Sequence, residues 1–209
     1  MIDIGAFLKD RLKKPLPGDV AHQQMMAQPI GERFNMKYDK PPKKGAVMIA
    51  LYPDEGKIYF PLMQRPPYQG VHGGQVSLPG GKKEDADSNL IETAIRETYE
   101  EIGVTIADNE VIGTLSDLNV TASNFIVRPV ISILKSKPEF IRDPREVEHI
   151  FKAEVEHLIH PETLQVTELT VAERVRLKAP FFDIEEKVVW GATAMILSEF
   201  VEILKEHYT

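Results

Sequence analysis

From Arg65 to Gly81 the chain reads RPPYQGVHGGQVSLPGG, with glycine and proline too dense for a helical or a strand period. A stretch of this kind is expected to be a long ordered loop, the class of segment that tends to carry function. It runs into a segment with a clear helical stripe: Ile91, Ala94, Ile95, Thr98 and Ile102 share one face. Asp87 or Ser88 is placed to cap a helix over residues 89–102, and Gly103 stands where a C-terminal glycine stop belongs. Loop and helix together fix the middle of the fold.

The flanking sequence supplies the rest. AVMIALY and IYFPLMQR surround the turn sequence PDEG and are expected to form a hairpin. FIVRPVISIL, LQVTELTV and RVRLKAPFFDI have strand character, and GATAMILSEFVEILKEH reads as a closing amphipathic helix. Near the N-terminus, Ile4, Phe7, Leu8 and Leu12 are spaced for a short helix, and PPKKG leads into the main domain. The expected division is a helical extension over residues 1–40 and one domain over residues 41–209. The order of elements predicts an α+β fold, an α/β/α sandwich with a mixed sheet between helices.

A chain of 209 residues suits one full-sized domain. It contains no cysteine, which excludes disulfides and thiolate metal sites and makes the cytoplasm the expected compartment. No apolar run is long enough to span a membrane, and MIDIGAFLKDRLKK lacks the features of a secretory signal. A net charge of -7 argues against nucleic acid as the main partner. The sequence leaves the oligomeric state open, a homodimer included.

Glu97, Glu100 and Glu101 stand at i, i+3 and i+4 on the expected helix, on a face beside the apolar stripe. Like charges at that spacing cost about 0.2–0.5 kcal/mol per pair. A solvated acidic face usually carries interspersed lysines. Here none occurs between Lys83 and Lys135, and Arg96 is the nearby cation. Clustered hard oxygen donors at the end of a glycine loop suit Mg²⁺ or Mn²⁺. From spacing alone, the acidic face and the metal site stand about equal.

The segment from Gly81 through Asp87 to RETYEEIGV resembles the Nudix box, G-x5-E-x7-R-E-U-x-E-E-x-G-U, where U is a bulky apolar residue. The R-E-x-x-E-E-x-G half is intact. The first half carries one extra residue before Arg96, Asp87 in place of the first glutamate, and Thr98 at an aliphatic position. Together with HGGQVSLPGG these departures resemble the coenzyme A pyrophosphatase branch of the family. TASNF, RPV, EVEHIF and WGATA extend the likeness over residues 45–204. Gly70 and Leu78 depart from that branch, which has arginine and phenylalanine there.

The resemblance implies hydrolysis of a pyrophosphate bond in a nucleoside diphosphate derivative with Mg²⁺ or Mn²⁺. By position it assigns Glu97, Glu100 and Glu101 as metal ligands, with the Gly81 carbonyl as a further candidate. Glu101 or Glu97 would polarise water, Arg96 would hold a glutamate in its ligating rotamer, and Glu148 is a candidate fourth ligand or general base. Arg65, His72, Gly80 and Gly81 are the candidate substrate contacts, with Lys82 and Lys83 as further cations. Coenzyme A or an acyl-CoA is the first substrate class implied. ADP-ribose, NADH or a nucleotide sugar is the second, and a Nudix-fold binding module without turnover is the third reading.

Overall fold

The computed structural model describes residues 4–30, 38–67, 74–171 and 175–208. The chain begins with helices α1 (Ile4–Arg11) and α2 (Asp19–Gln24) and the short strand β1 (Gln28–Pro29). Strands β2 (Lys43–Asp54), β3 (Lys57–Gln64), β4 (Val76–Ser77) and β5 (Gly80–Lys82) lead to helix α3 (Leu90–Ile102). After it come β6 (Val111–Thr114), β7 (Leu118–Val120), β8 (Phe125–Ile133), β9 (His149–Glu154) and the single turn α4 (Val155–Leu158). The chain closes with β10 (Leu164–Val171), β11 (Val175–Ile184), β12 (Lys187–Trp190) and α5 (Gly191–Tyr208). The stretch expected to be wholly irregular thus contains two short strands, β4 and β5.

β2 is the axis of the fold. It runs parallel to β8 from Lys43↔Phe125 to Leu51↔Ile133, while its other neighbours are antiparallel. The sheet is therefore mixed. Alternation along β2 feeds two cores. Ala46, Met48, Ala50 and Tyr52 pack with Leu90, Ala94 and Ile102 of α3. Ile49 and Leu51 join Phe60, Leu62, Leu197 and Phe200 on the opposite side, under α5. The α/β/α sandwich follows directly from that two-residue period. On its outer side β2 pairs with β5 at Gly45–Val47 and with β3 only at Tyr52–Asp54. The sheet opens between these two partners, and the end of β3 and the start of β5 lie beside α3.

Residues 4–30 are built into this body. Leu8 and Met25 are buried within the α5-side core, and β1 pairs with β11. Arg11 grips Glu206 through two bonds of 2.7 and 2.9 Å. Deeper in, the fully buried Glu199 of α5 accepts from the Gly18 N–H (3.0 Å), the Ser116 N–H (3.1 Å) and the Ser116 hydroxyl (2.7 Å). The buried His22 Nε2 lies 3.1 Å from the same carboxylate. One side chain thus ties the α2 start, the β6–β7 link and α5 together. Burial raises its pKa, but bonds from His22, Ser116 and Gly18 outweigh that and leave it below the ordinary glutamate value.

Glu199→Ala removes the shared acceptor and strands several donors, each costing about 1–3 kcal/mol when left unsatisfied. Urea unfolding at neutral pH should register a loss of more than about 3 kcal/mol. A loss within that of an ordinary surface substitution would show that the carboxylate does not hold the N-terminal helices.

Candidate active site

Helix α3 is capped differently from the sequence expectation. Asn89, neither Asp87 nor Ser88, accepts from the N–H groups of Ile91 (2.8 Å) and Glu92 (3.1 Å). At the other end Gly103 takes the left-handed conformation (φ 73°) and donates to the Tyr99 carbonyl. Thr93, Ala94, Thr98, Glu101 and Ile102 are the buried side chains of the last three turns. Glu101 therefore lies in the packed interface, not on the open acidic face that its polarity suggests.

Two glycines make that possible. Gly80 has φ +151°, and a Cβ there would lie 2.3 Å from the Ala46 carbonyl oxygen and 2.5 Å from Val47 Cα. Its N–H donates to Glu101 at 2.7 Å. A Cβ on Gly81 would meet the Glu97 carboxylate carbon at 2.5 Å. Backbone and carboxylates touch only because both side chains are absent. The Gly81 carbonyl oxygen lies over Gly45 of β2, where a Cβ would approach it to 2.6 Å.

Charges close the arrangement. Arg96 donates to both Asp87 oxygens (2.9 Å each), to Glu97 and Glu100 (2.9 Å each) and to the Lys82 carbonyl (3.2 Å). Asp87 is buried and also accepts from the Thr93 hydroxyl and the Glu84 N–H, both at 2.9 Å. Arg65, at the end of β3, reaches Glu101 at 3.2 Å and the Gly80 carbonyl at 3.5 Å. The glutamates thus have two cations, one 36 residues away in sequence. Lys83 Nζ is engaged by the carbonyls of Glu84 and Asp87, so it braces the loop before α3.

The acids titrate apart. Burial pushes Glu101 up to about 8, with Arg65 and the Gly80 N–H opposing, and Glu97 and Glu146 adding to the rise. Burial also raises Glu97 against the pull of Arg96, again with Glu146 contributing. Asp87 moves the other way, far below the carboxylate range, chiefly through its bonds from Arg96. A cation beside Glu97 and Glu101 would act against the burial effect and keep both ionised.

Glu97, Glu100, Glu101, Arg96, Arg65, Gly80 and Gly81 are brought into one cluster. Glu148 is exposed, and its N–H extends the β3–β9 pairing by donating to Gln64. His72 and Gly70 lie outside the described residues. Sequence reading passed over Glu146, whose charge acts on both buried glutamates. Its only signal was its place in the same EVEHIF stretch, two positions before the residue chosen. The donor set suits a hard divalent ion: carboxylate oxygens, two of them in largely buried side chains against glycine backbone. Among the described residues no three acids stand close enough together to enclose an ion. Arg96 holds Glu97 and Glu100, and Glu101 is turned to Gly80 and Arg65.

Comparison with known proteins defines the class. Residues 42–189 match the family model for the NUDIX domain, and the chain belongs to the Nudix family. It is 34% identical over 175 residues to Nudix hydrolase 15, mitochondrial, of Arabidopsis thaliana, covering 79% of this chain and 60% of that one. Against Nudix hydrolase 22, chloroplastic, of the same plant the identity is 35% over 165 residues, covering 75% and 53%. The chain thus spans between half and two thirds of these relatives' lengths. It is also 30% identical over 136 residues to the human mitochondrial coenzyme A diphosphatase NUDT8, covering 65% and 58%. Among solved structures, a MutT/nudix family protein from Enterococcus faecalis superposes with a TM-score of 0.56 at 14% identity, over 83% of this chain and 66% of that one. That likeness supports the Nudix fold.

The Asp87–Arg96 pair has a defined acid response. With its folded pKa below its unfolded value, Asp87 stabilises the protein fully above about pH 5, and this is lost as pH falls through 4 toward the folded value. Asp87→Asn should therefore be clearly less stable than the parent at pH 7, with the gap narrowing toward pH 2–3 in thermal or urea unfolding. A gap that widened on acidification would contradict the pairing.

Proposed function

We propose that the chain is a metal-dependent pyrophosphohydrolase acting on a nucleoside diphosphate derivative. The observation that carries this reading is the seating of Glu97 and Glu101 against the Gly80–Gly81 backbone, with Arg96 and Arg65 on their outer sides. A protein that only binds a ligand has no need to press two like-charged carboxylates, Glu97 and Glu101, against a glycine backbone. In this reading Glu97, Glu100 and Glu101 hold Mg²⁺ or Mn²⁺, which when bound screens phosphate charge and lowers the pKa of water.

The chain's own residues set the stage for that chemistry. Arg96, itself locked by Asp87, orients Glu97 and Glu100 together. Glu100 is the most exposed of the three glutamates, and packing leaves its rotamer adjustable. Arg65, with a quarter of its side chain accessible, can pair with a substrate phosphate. Glu146 and Glu148, on the segment before β9, are the candidate acids facing the attacking water. The expected compartment is the cytoplasm, on the strength of the missing cysteines.

For substrate, we propose coenzyme A or an acyl-CoA, cleaved to 3′,5′-ADP and the corresponding phosphopantetheine. HGGQVSLPGG, the altered box and the human coenzyme A diphosphatase relative support this choice. Of the cations available for a 3′-phosphate, Lys83 is engaged within the loop. Lys82, exposed on β5, and Arg65 remain.

Glu100→Gln and Glu101→Gln should each lower turnover by at least about 100-fold at saturating Mg²⁺ while leaving a folded protein. EDTA should abolish activity, and Mn²⁺ added to stripped protein should raise its melting temperature. Full activity after stripping would refute metal dependence. Substrate choice is read from kcat/KM for coenzyme A, its 3′-dephospho form and ADP-ribose. Loss of one charge-assisted phosphate contact is worth about 1.5–3 kcal/mol, so a true coenzyme A site should prefer the phosphorylated form by at least about tenfold. Faster cleavage of ADP-ribose would move the assignment to that class.

A further inference from the structure

The second, smaller sheet offers an interface unrelated to the acidic cluster. β10 pairs with β11 along its whole length, from Leu164↔Phe182 to Val171↔Val175, and ends the sheet. Among the described residues no strand pairs with its outer edge. The far side of β11 shows which groups line that edge. The Ile30 N–H donates to the Arg176 carbonyl at 2.9 Å, so Arg176 turns its carbonyl away from β10. Its partner Thr170 then points its own N–H and C=O outward, and by alternation so do Val166 and Glu168, while Leu164 offers its C=O alone because its N–H donates to the Pro161 carbonyl.

Edge strands of this length are normally blunted by lysine, proline or a bulge. β10 has none of these. Val166, Thr167, Thr170 and Val171 are β-branched, and its pairing with β11 keeps one regular register. Leu164 and Val166 are 48% and 56% exposed. The strand's single charge, Glu168, is met by Arg176 of its own hairpin at 2.6 Å.

We propose that β10 pairs antiparallel with β10 of a second copy, about a two-fold axis passing through Thr167. Two conditions select this register. Faces must match, so residues of like parity meet, and overlap is greatest when the axis passes Thr167 or Glu168. An axis at Glu168 sets two carboxylates directly opposite, which is destabilising. At Thr167 the threonines meet each other, Val166 faces the partner's Glu168, and Leu164 faces the partner's Thr170. Val166, Glu168 and Thr170 then exchange bonds, with the Leu164 carbonyl as a further acceptor, giving about six N–H···O=C contacts. The strand complements itself in shape and hydrogen bonding, and each Glu168 arrives neutralised. A second copy is therefore its occupant.

The test uses the full chain. Sedimentation at micromolar concentration should give a dimer. Val166→Pro removes only an outward-pointing N–H, so it should yield a monomer with unchanged circular dichroism and melting behaviour. Because the protein lacks cysteine, register can be read by introduced thiols. Residues at the axis form a non-hydrogen-bonded pair with Cα atoms about 4.5 Å apart, within disulfide range. Thr167→Cys should cross-link to itself on mild oxidation and Leu169→Cys should not, whereas Leu169→Cys mixed with Gln165→Cys should. A monomeric parent, a dimer indifferent to Val166→Pro, or equal self-cross-linking of the Thr167 and Leu169 variants would each overturn the proposal. The last would include pairing of β10 with some other segment.

Discussion

The approach of β5 to α3 is the contact on which the site depends. A strand and a helix ordinarily pack at a distance set by their side chains, close to 10 Å between backbones. At Gly80 and Gly81 there are none, so the Glu97 carboxylate rests on one glycine and the Glu101 carboxylate on the N–H of the other. Adding a methyl group at either position drives it into backbone or carboxylate atoms well inside contact distance. Since β5 is also hydrogen-bonded to β2, it cannot retreat without losing Gly45–Val47 pairing. The glycine pair therefore fixes the acids relative to the central sheet.

The acids' mutual repulsion is small beside what opposes it. Two i,i+3 or i,i+4 glutamate pairs cost about a kilocalorie per mole or less together. Arg96 alone makes four charge-assisted bonds to three carboxylates, each roughly twice as strong as a neutral one. Burial is the larger opposing effect, which is why Glu101 and Glu97 are both raised although cations sit beside them. The cluster is thus held in place by Arg96 and Arg65 but incompletely neutralised. That is the condition in which an added divalent cation gains most.

The legible parts of the fold had a period. The i, i+3, i+4 stripe of α3 and the alternating β10 and β11 were recognisable because each repeats its pattern over eight residues or more. β4, β5, β7 and β12 are two to four residues long and have no period to read. Polarity misled at two places. Glu101 looks solvent-exposed on a helical wheel, yet its partners are Gly80 and Arg65, which only the folded sheet brings near. Asp87 looks like a cap three residues before the helix, yet the cap is Asn89, leaving Asp87 to turn inward to Arg96 and Thr93. In each case a local rule assigned a side chain whose energy is decided by a residue distant in sequence.

The same topology ties the acidic cluster to the glycine-rich segment. The acidic cluster sits on α3 and β5, and β5 is paired to β2, the strand that feeds both cores. At the base of the segment between Arg65 and Gln75, the Arg65 N–H donates to the Gln75 carbonyl and the Gly74 N–H to the Pro66 carbonyl. Arg65 belongs to both: its side chain reaches Glu101 and Gly80, and its backbone opens the loop. One arginine thereby joins the buried carboxylate of α3 to the start of the glycine-rich segment.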